Sequence, residues 1–397
     1  MSNPQATTPS VRLKQKLEGA HELRELIRAH RAHSDKARQL AQPVVEALAR
    51  LGVFRALVPA SAGGEEWEWP TRMRIVEELS TVDGAVGWNA GVGSTTNAVV
   101  SGWVSTEVGR SVFCQDSIGL VAGSGSPPRT GHPVNGGYRV SGRWPFGSGS
   151  PHASWFLAGC VIEGELQRGN LMMLVPATDV EIIDTWFVGG LRGTGSQDYA
   201  VHDLFVPTAY TFNAFDDPPL HPGPLYRLPF VLTVCSALGP LALGIARGAV
   251  DSFTQLMATK IDGFAGTPMR ERPTVQERLA KAEAVVRSAR AFFYEMVHEV
   301  WDTVEQGAEL TERQLALFSL ANMHAVAAGA QAVDLVYHAA GTSAIFTTNL
   351  LERFFRDIHV ATQHRCASPE ELYQAGRVLL GLPLSGVMAL GQARKAG

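Results

Sequence analysis

The chain has 397 residues, of which 45% are hydrophobic and 18% charged, with a formal net charge of −4. That length supports two or three domains with developed cores, and the composition excludes a disordered chain. The near-neutral charge gives no electrostatic reason to expect nucleic acid or an anionic membrane as partner.

Residues up to about Gln15 read as a polar tail with no secretory segment. Leu40, Ala41, Val44, Val45, Leu48 and Leu51 then follow the helical period, with Gly52 as C-cap. Ile75, Val76 and Leu79 open a second amphipathic helix. The next stretch, Gly84–Thr106, is uncharged and rich in Gly, Ser, Thr and Asn, a composition suited to helices packed closely on each other or around a ligand.

From about Ile118 the period changes to two. Asn135-Gly136-Gly137 predicts a hairpin turn into Tyr138–Ser141, and Trp155–Ile162, Leu171–Val175, Val180–Asp184 and Tyr199–Val206 are further strands. Strands at this spacing with no helix between them predict an antiparallel sheet or small barrel. Phe215–Pro229, dense in Pro and Asp, reads as a linker.

Helix returns with Phe230–Ala246, seventeen uncharged residues that include Gly239, Pro240 and Gly244 and read as a buried helix rather than a membrane span. Val275–Val304 carries an unbroken apolar stripe about eight turns long, and Glu312–His338 is an alanine-rich helix. The fold class is therefore α+β. Its expected domains are a helical N-terminal domain (1–117), an antiparallel β-domain (118–220) and a C-terminal helical bundle (221–397).

The four cysteines, Cys114, Cys160, Cys235 and Cys366, stand far apart with no C-x-x-C and read as reduced core thiols of a cytoplasmic protein. No metal site is expected. Asp357, His359 and His364 could be drawn into one, but His359 and His364 lie about 140° apart around a helix. Gly189–Gly195, GGLRGTG, is glycine-rich but leads into a strand rather than a helix, so it is not a dinucleotide fingerprint. Either it sets Thr194 and Ser196 against a ligand or it is a plain turn.

Leu351–Arg365 predicts one more amphipathic helix, on which Arg353, Asp357 and His364 share a stripe about 40° wide. Spacing alone reads it as an exposed i,i+4 ion pair with a passing histidine.

Three stretches in order, GRWPFGSG (142–149), GGLRGTGSQDYAVHDLFVP (189–207) and LERFFRDIHVATQH (351–364), resemble the acyl-CoA dehydrogenase superfamily. They are most similar to its flavin monooxygenase branch, the oxygenase components of p-hydroxyphenylacetate 3-hydroxylase, seco-steroid phenol hydroxylase and dibenzothiophene monooxygenase. The resemblance runs from about residue 20 to 385 and implies a helical N-terminal domain, a central β-domain and a C-terminal four-helix bundle.

In the dehydrogenases the Arg-Asp pair is followed by a glutamate base within Glu-Gly-Thr. Here Asp357 is followed by His364-Arg365-Cys366, and Glu370 and Glu371 come too late. Without a base to take an α-proton, dehydrogenation is disfavoured. The resemblance instead implies a monooxygenase that takes reduced FMN or FAD from a separate flavin reductase and forms a C4a-hydroperoxide with O2 in a dry pocket, oxygenating a small aromatic or heteroaromatic substrate.

By that resemblance Ser148 bonds flavin N5, His364 steadies the peroxide, and Trp144 and Phe146 exclude water. Thr194 and Ser196 match a flavin-side loop, Thr342 and Ser343 match residues at the flavin phosphate or pyrimidine edge, and Arg270 or Arg272 reaches a neighbouring subunit's phosphate. Trp88, Thr96, Asn97 and Ser124 line the substrate pocket. The phenol hydroxylases of this branch carry a deprotonating histidine where this chain has Thr96 or Asn97, so either His132 or His152 replaces it or the substrate needs no deprotonation. A cytoplasmic homotetramer is implied. The alternatives are a flavin dehydrogenase or oxidase with a displaced base, and a flavin-less scaffold.

Overall fold

The computed structural model describes residues 11–115, 118–125, 129–164, 170–263 and 265–385. Six helices come first: α1 (Val11–Glu22), α2 (Arg24–Ala37), α3 (Gln42–Leu51), α4 (Trp69–Ser80), α5 (Gly84–Trp103) and α6 (Thr106–Phe113). Helix starts at Val11, so part of the expected tail is structured, and Arg12 and Lys16 reach Glu66 O (2.8 Å) and Glu65 (3.2 Å). Residues 1–10 lie outside the described set. Gly52 ends α3 at φ 86°, the left-handed cap that glycine adopts without strain.

Eight strands follow among the described residues, in one sheet: β1 (Val121–Gly123), β2 (Arg129–Val134), β3 (Gly137–Gly147), β4 (Trp155–Ile162), β5 (Asn170–Pro176), β6 (Glu181–Ile183), β7 (Gln197–Pro207) and β8 (Thr211–Phe212). The order is β6-β7-β3-β2-β4-β5-β8. The hairpin at Asn135-Gly136 joins β2 to β3. The sheet is mixed rather than wholly antiparallel, because β1 and β2 both pair parallel with β4. The register of β3 on β7 slips between Trp144 and Gly147, and Phe146 in that irregularity has φ 63°. Such a bulge re-aims side chains.

The chain between the sheet and the second helical region is not a loose linker. Leu220 N–H donates to Gly102 O at 2.7 Å, and the Tyr226 hydroxyl, buried, donates to Leu57 O at 3.2 Å.

The expected helix over Phe230–Ala246 is broken into α7 (Phe230–Cys235) and α8 (Leu238–Thr259), with Ser236 capping α7 through a 2.7 Å bond to Thr233 O. Then come α9 (Pro273–Glu305), α10 (Glu312–Ala340), α11 (Leu350–Ala361) and α12 (Pro369–Leu379). α8, α9, α10 and α11 pack as a bundle and α4 lies on α8, so one apolar core runs from the first helices into the bundle. Phe230–Thr259 and Glu312–Ile345 are long and apolar enough to cross a membrane, but 78% and 67% of their most apolar windows are buried inside the fold, which makes them core helices.

α11 stops at Ala361, short of the expected Arg365. Arg353 and Asp357 are buried at 8% and 1% exposure, which overturns the reading of a surface ion pair. Arg353 sits 2.9 Å from Asp83 and 3.9 Å from Asp357. Asp83 caps α5 by accepting from Ala85 N–H at 2.8 Å, while Asp357 accepts Leu191 N–H at 2.6 Å. The chain passes so close at Gly190 that a Cβ there would meet Arg356 O at 2.2 Å.

Two expected core thiols are joined: Cys235 and Cys366 form a disulfide across 131 residues, whereas Cys160 is buried and free and Cys114 exposed and free.

Removing the guanidinium strands two buried carboxylates. Arg353→Met should destabilise the protein by about 3–5 kcal/mol. Asp357→Asn, which keeps the acceptor for Leu191, should be much milder. Denaturant unfolding of both variants checks this, and equal effects would contradict the shared-cation account.

Candidate active site

The residues upward of this clamp converge on one cleft. Within α5 nearly every residue is buried, but Trp88, Val92 and Thr96 are half-exposed at i, i+4 and i+8 and so form one open stripe. Beyond it α7 packs on α5, Phe230 and Thr233 against Val99 and Trp103, leaving a gap of only about 10 Å³. Val99 is within about 20° of Trp88 around the helix but is buried, so α7 closes the far end of the stripe.

At the head of the stripe the Trp88 indole N–H donates to the Ser148 hydroxyl at 3.0 Å. Ser148 is 2.8 Å from the Ser196 hydroxyl, which is 2.8 Å from that of Thr194. The β3 bulge and the 3.0 Å bond from Ser150 to Gly195 O bring these two loops together. A row of three hydroxyls can reverse its donor direction as a unit, so it can hold or pass a proton without carrying charge.

His364 packs edge-on against Trp88, ring centroids 5.2 Å apart. It lies beyond the end of α11 and caps a short turn, Arg365–Ala367, its Nδ1 accepting Cys366 N–H at 3.2 Å. That bond puts the imidazole proton on Nε2. Burial pushes its pKa down to about 4, so His364 is a neutral donor at physiological pH. It does not share the stripe of Arg353 and Asp357, because the helix that would align them ends first. Burial pushes Asp357 up to about 7 against the pull of Arg353.

The structure places the other expected residues as follows. Phe146 is 65% exposed, edge-on to Trp186 at 6.3 Å, and forms an open apolar face beside Ser148. Trp144 is not in the cleft: it is fully buried in the sheet core, stacked on Tyr199, its N–H donating to Gly159 O at 3.0 Å. Asn97 is not a pocket residue either. Its amide donates to Phe54 O (2.8 Å) and Gly119 O (2.6 Å) and accepts from Val121 N–H (3.0 Å), which ties α5 to β1. Thr96 faces the end of β1, next to half-buried Ser124, and its methyl lies 3.3 Å from where a Cβ on Gly123 would stand.

His132 is exposed and paired with Glu163 at 2.7 Å, and His152 packs toward Leu40, so neither stands against the stripe. Glu370 pairs with Arg365 at 2.9 Å, and buried Glu371 accepts from Ser319 at 3.0 Å, so neither glutamate is turned to the cleft.

Thr342 and Ser343 lie on the turn Gly341–Ile345 after α10, and Arg270 on the exposed turn Met269–Glu271. Lys260 links these two turns. Its ammonium donates to Ala340 O at 2.6 Å and its carbonyl accepts Met269 N–H at 2.9 Å. Arg272 is ion-paired with Asp262, which leaves Arg270 as the outward cation of the corner.

The residues fit a flavin. An exposed aromatic face beside a row of neutral hydroxyls suits a ring system that is apolar on its faces and polar at its edge.

Residues 20–108 match the family model described as acyl-CoA dehydrogenase, N-terminal domain, and 236–369 the one described as acyl-CoA dehydrogenase, C-terminal domain. The chain is 32% identical over 363 residues to an indole-3-acetate monooxygenase of Acinetobacter baumannii, covering 91% of this chain and 92% of that protein. The chain belongs to the flavin-dependent monooxygenases of the acyl-CoA dehydrogenase superfamily. It is also 27% identical to the oxygenase subunit HsaA of a flavin-dependent monooxygenase from Rhodococcus jostii, over 91% of this chain and 94% of that subunit. The crystal structure of 3-HSA hydroxylase from Rhodococcus sp. RHA1 superposes with a TM-score of 0.86 at 25% identity, covering 96% of this chain and 99% of that one.

In this monooxygenase Val92, Trp186 and Lys260 join the site through tertiary contacts that the motifs do not mark. Only Val92 had a local signal, its i+4 spacing from Trp88.

A histidine whose folded pKa is depressed is bound by protons more tightly when unfolded. It therefore lowers stability as pH falls from about 6.5 to about 4 and adds nothing to the slope above that window. His364→Gln should lose less thermal stability than wild type between those pH values. Parallel melting curves for the two proteins across the window would contradict a buried neutral imidazole.

Proposed function

We propose that this chain is the oxygenase component of a two-component flavin-dependent monooxygenase whose substrate is a small, electron-rich heteroaromatic of the indole type. A separate reductase supplies reduced FMN or FAD. The observation that carries the reading is His364, a neutral Nε2–H donor beside Trp88 where a dehydrogenase needs a carboxylate base.

When bound, reduced flavin supplies the electrons that activate dioxygen. The protein's part follows from its own atoms. With flavin bound, His364 Nε2–H would offer a fixed dipole to negative charge developing on oxygen. The imidazole's one lone pair, on Nδ1, is taken by Cys366 N–H and its low pKa makes it a weak base, which fits oxygen transfer rather than α-proton abstraction. Ser148, held by Trp88 and Ser196, presents a hydroxyl whose direction the Ser196–Thr194 row can set. Once flavin covers them, Phe146 and Trp88 would keep water from the reacting centre.

The substrate class follows from the stripe. Trp88, Val92 and Thr96 carry no titratable group, and His132 and His152 are engaged elsewhere. A phenol that must lose its proton is poorly served there, whereas an indole ring is nucleophilic without deprotonation. The likeness to indole-3-acetate monooxygenases over nine-tenths of the chain points the same way.

Lys260, Arg270, Thr342 and Ser343 form a corner of cations and hydroxyls suited to a flavin phosphate, with Arg270 reaching a neighbouring subunit of a cytoplasmic homotetramer. The three-domain division at 117/118 and 220/221 belongs to the same reading. So does placing Trp88, Thr96 and Ser124 at the substrate, without nucleic acid or membrane as partner.

With reduced FMN supplied by a reductase, wild type should convert an indole-type substrate with little hydrogen peroxide released. His364→Ala and Ser148→Ala should each raise peroxide released per product by about tenfold, the scale of losing one hydrogen bond, while FMN fluorescence titration still reports binding. Unchanged peroxide-to-product ratios in both variants would remove the assigned roles.

A further inference from the structure

The disulfide stands at a functional boundary. Cys235 is the last residue of α7, the short helix that closes the far end of the open stripe of α5 at Val99 and Trp103. Cys366 is the central residue of the turn Arg365–Ala367, and its own backbone N–H is the donor that fixes His364 Nδ1. The Cα atoms are 5.6 Å apart, a separation that suits a disulfide. Both residues are only half-buried.

A chain with cores this extensive does not need a disulfide for its fold, unlike a small secreted domain. The other two cysteines are unpaired. Cys160 lies in the sheet core, where burial pushes its thiol up to about 12, and Cys114, though exposed, is free at the end of α6.

We propose that Cys235 and Cys366 are a peroxide-responsive dithiol–disulfide pair that latches α7 to the turn carrying His364. The oxidant is hydrogen peroxide, which the reading above provides as the leakage product of reduced flavin and O2. The proposal rests on that reading for the peroxide's origin, not for the thiol chemistry.

One thiolate sulfur attacks a peroxide oxygen. An S–O bond forms, the O–O bond breaks, and the departing hydroxide takes a proton to leave as water. The second sulfur then attacks the sulfenic sulfur. The S–S bond forms, the S–O bond breaks, and the second hydroxide takes that thiol's proton. Two thiols lose two electrons in all and one peroxide becomes two waters. A dithiol reductant reverses the bond by exchange and is itself oxidised.

In the disulfide form α7 cannot lift from α5 without moving the His364 turn, so the cover stays shut and turnover falls. In the dithiol form the cover is released. The latch thus slows the enzyme when its own leakage accumulates.

The test uses the full-length protein, reduced with dithiothreitol, desalted and divided. One half receives hydrogen peroxide, and both are alkylated and digested for mass spectrometry. The peroxide-treated half should lose the alkylated Cys235 and Cys366 peptides and gain one cross-linked pair, while Cys114 and Cys160 stay alkylated. Retention of both alkylated peptides, or cross-linking through Cys114, overturns the pair.

Hydrogen exchange of Phe230–Cys235 reads the latch without flavin or substrate. Its amides should exchange at least about fivefold more slowly after peroxide, as expected of a cover held shut. Dithiothreitol should restore the faster rate, and Cys235→Ser and Cys366→Ser should show no response. Equal exchange in both redox states of wild type overturns the latch. An intact latch with no product from any indole-type substrate would instead count against the substrate reading alone.

Discussion

One buried guanidinium organises this molecule. Arg353 on α11 lies between Asp83, which caps α5, and Asp357, which holds Leu191 at the head of the 191–196 loop. Those three segments carry Trp88, the Thr194–Ser196 hydroxyls and, a few residues past α11, His364. A charge withdrawn from water is stable only where partners meet it, so the helical N-terminal region, the sheet and the bundle are held in one relative placement by the same cation. The pair retained from the dehydrogenase pattern is therefore architectural, and the chemistry is delegated to residues it positions.

The cleft that results is polar without being charged. Its hydroxyl row, indole N–H and neutral imidazole all offer hydrogen bonds, and none adds a net charge that would draw in water. That arrangement suits a reaction in which negative charge appears on oxygen and must be met by dipoles already in place. It is poorly suited to abstracting a proton from carbon, since the two glutamates nearest in sequence are turned to Arg365 and Ser319. A disulfide between the end of α7 and the His364 turn adjoins this neutral site.

Most elements were legible from periodicity because each is long and buries one clear face. β4 spans Trp155–Ile162 as its alternation indicates, and α9 follows its apolar stripe from Pro273 to Glu305. What local pattern could not carry was anything decided across domains. Helical phase placed His364 on the stripe of Asp357, but the chain leaves the helix at Ala361 and recaps through the histidine itself. Trp144 shares a motif with Ser148, yet the bulge between them sends the tryptophan into the sheet core and leaves Phe146 exposed.

Asn97 lies one residue past Thr96, yet its three bonds to Phe54, Gly119 and Val121 turn it into the packing of α5 on β1. The pairing of Cys235 with Cys366 spans 131 residues and has no local signature. The motifs in register pointed to the family.

The most direct measurement is isotopic. Reduced flavin, an indole-type substrate and the protein are mixed under ¹⁸O2 in ordinary water, and the product is weighed by mass spectrometry. The account predicts one oxygen atom from the gas in each product molecule. A product that takes its oxygen from water, or a substrate that loses hydrogen and gains no oxygen, would contradict it.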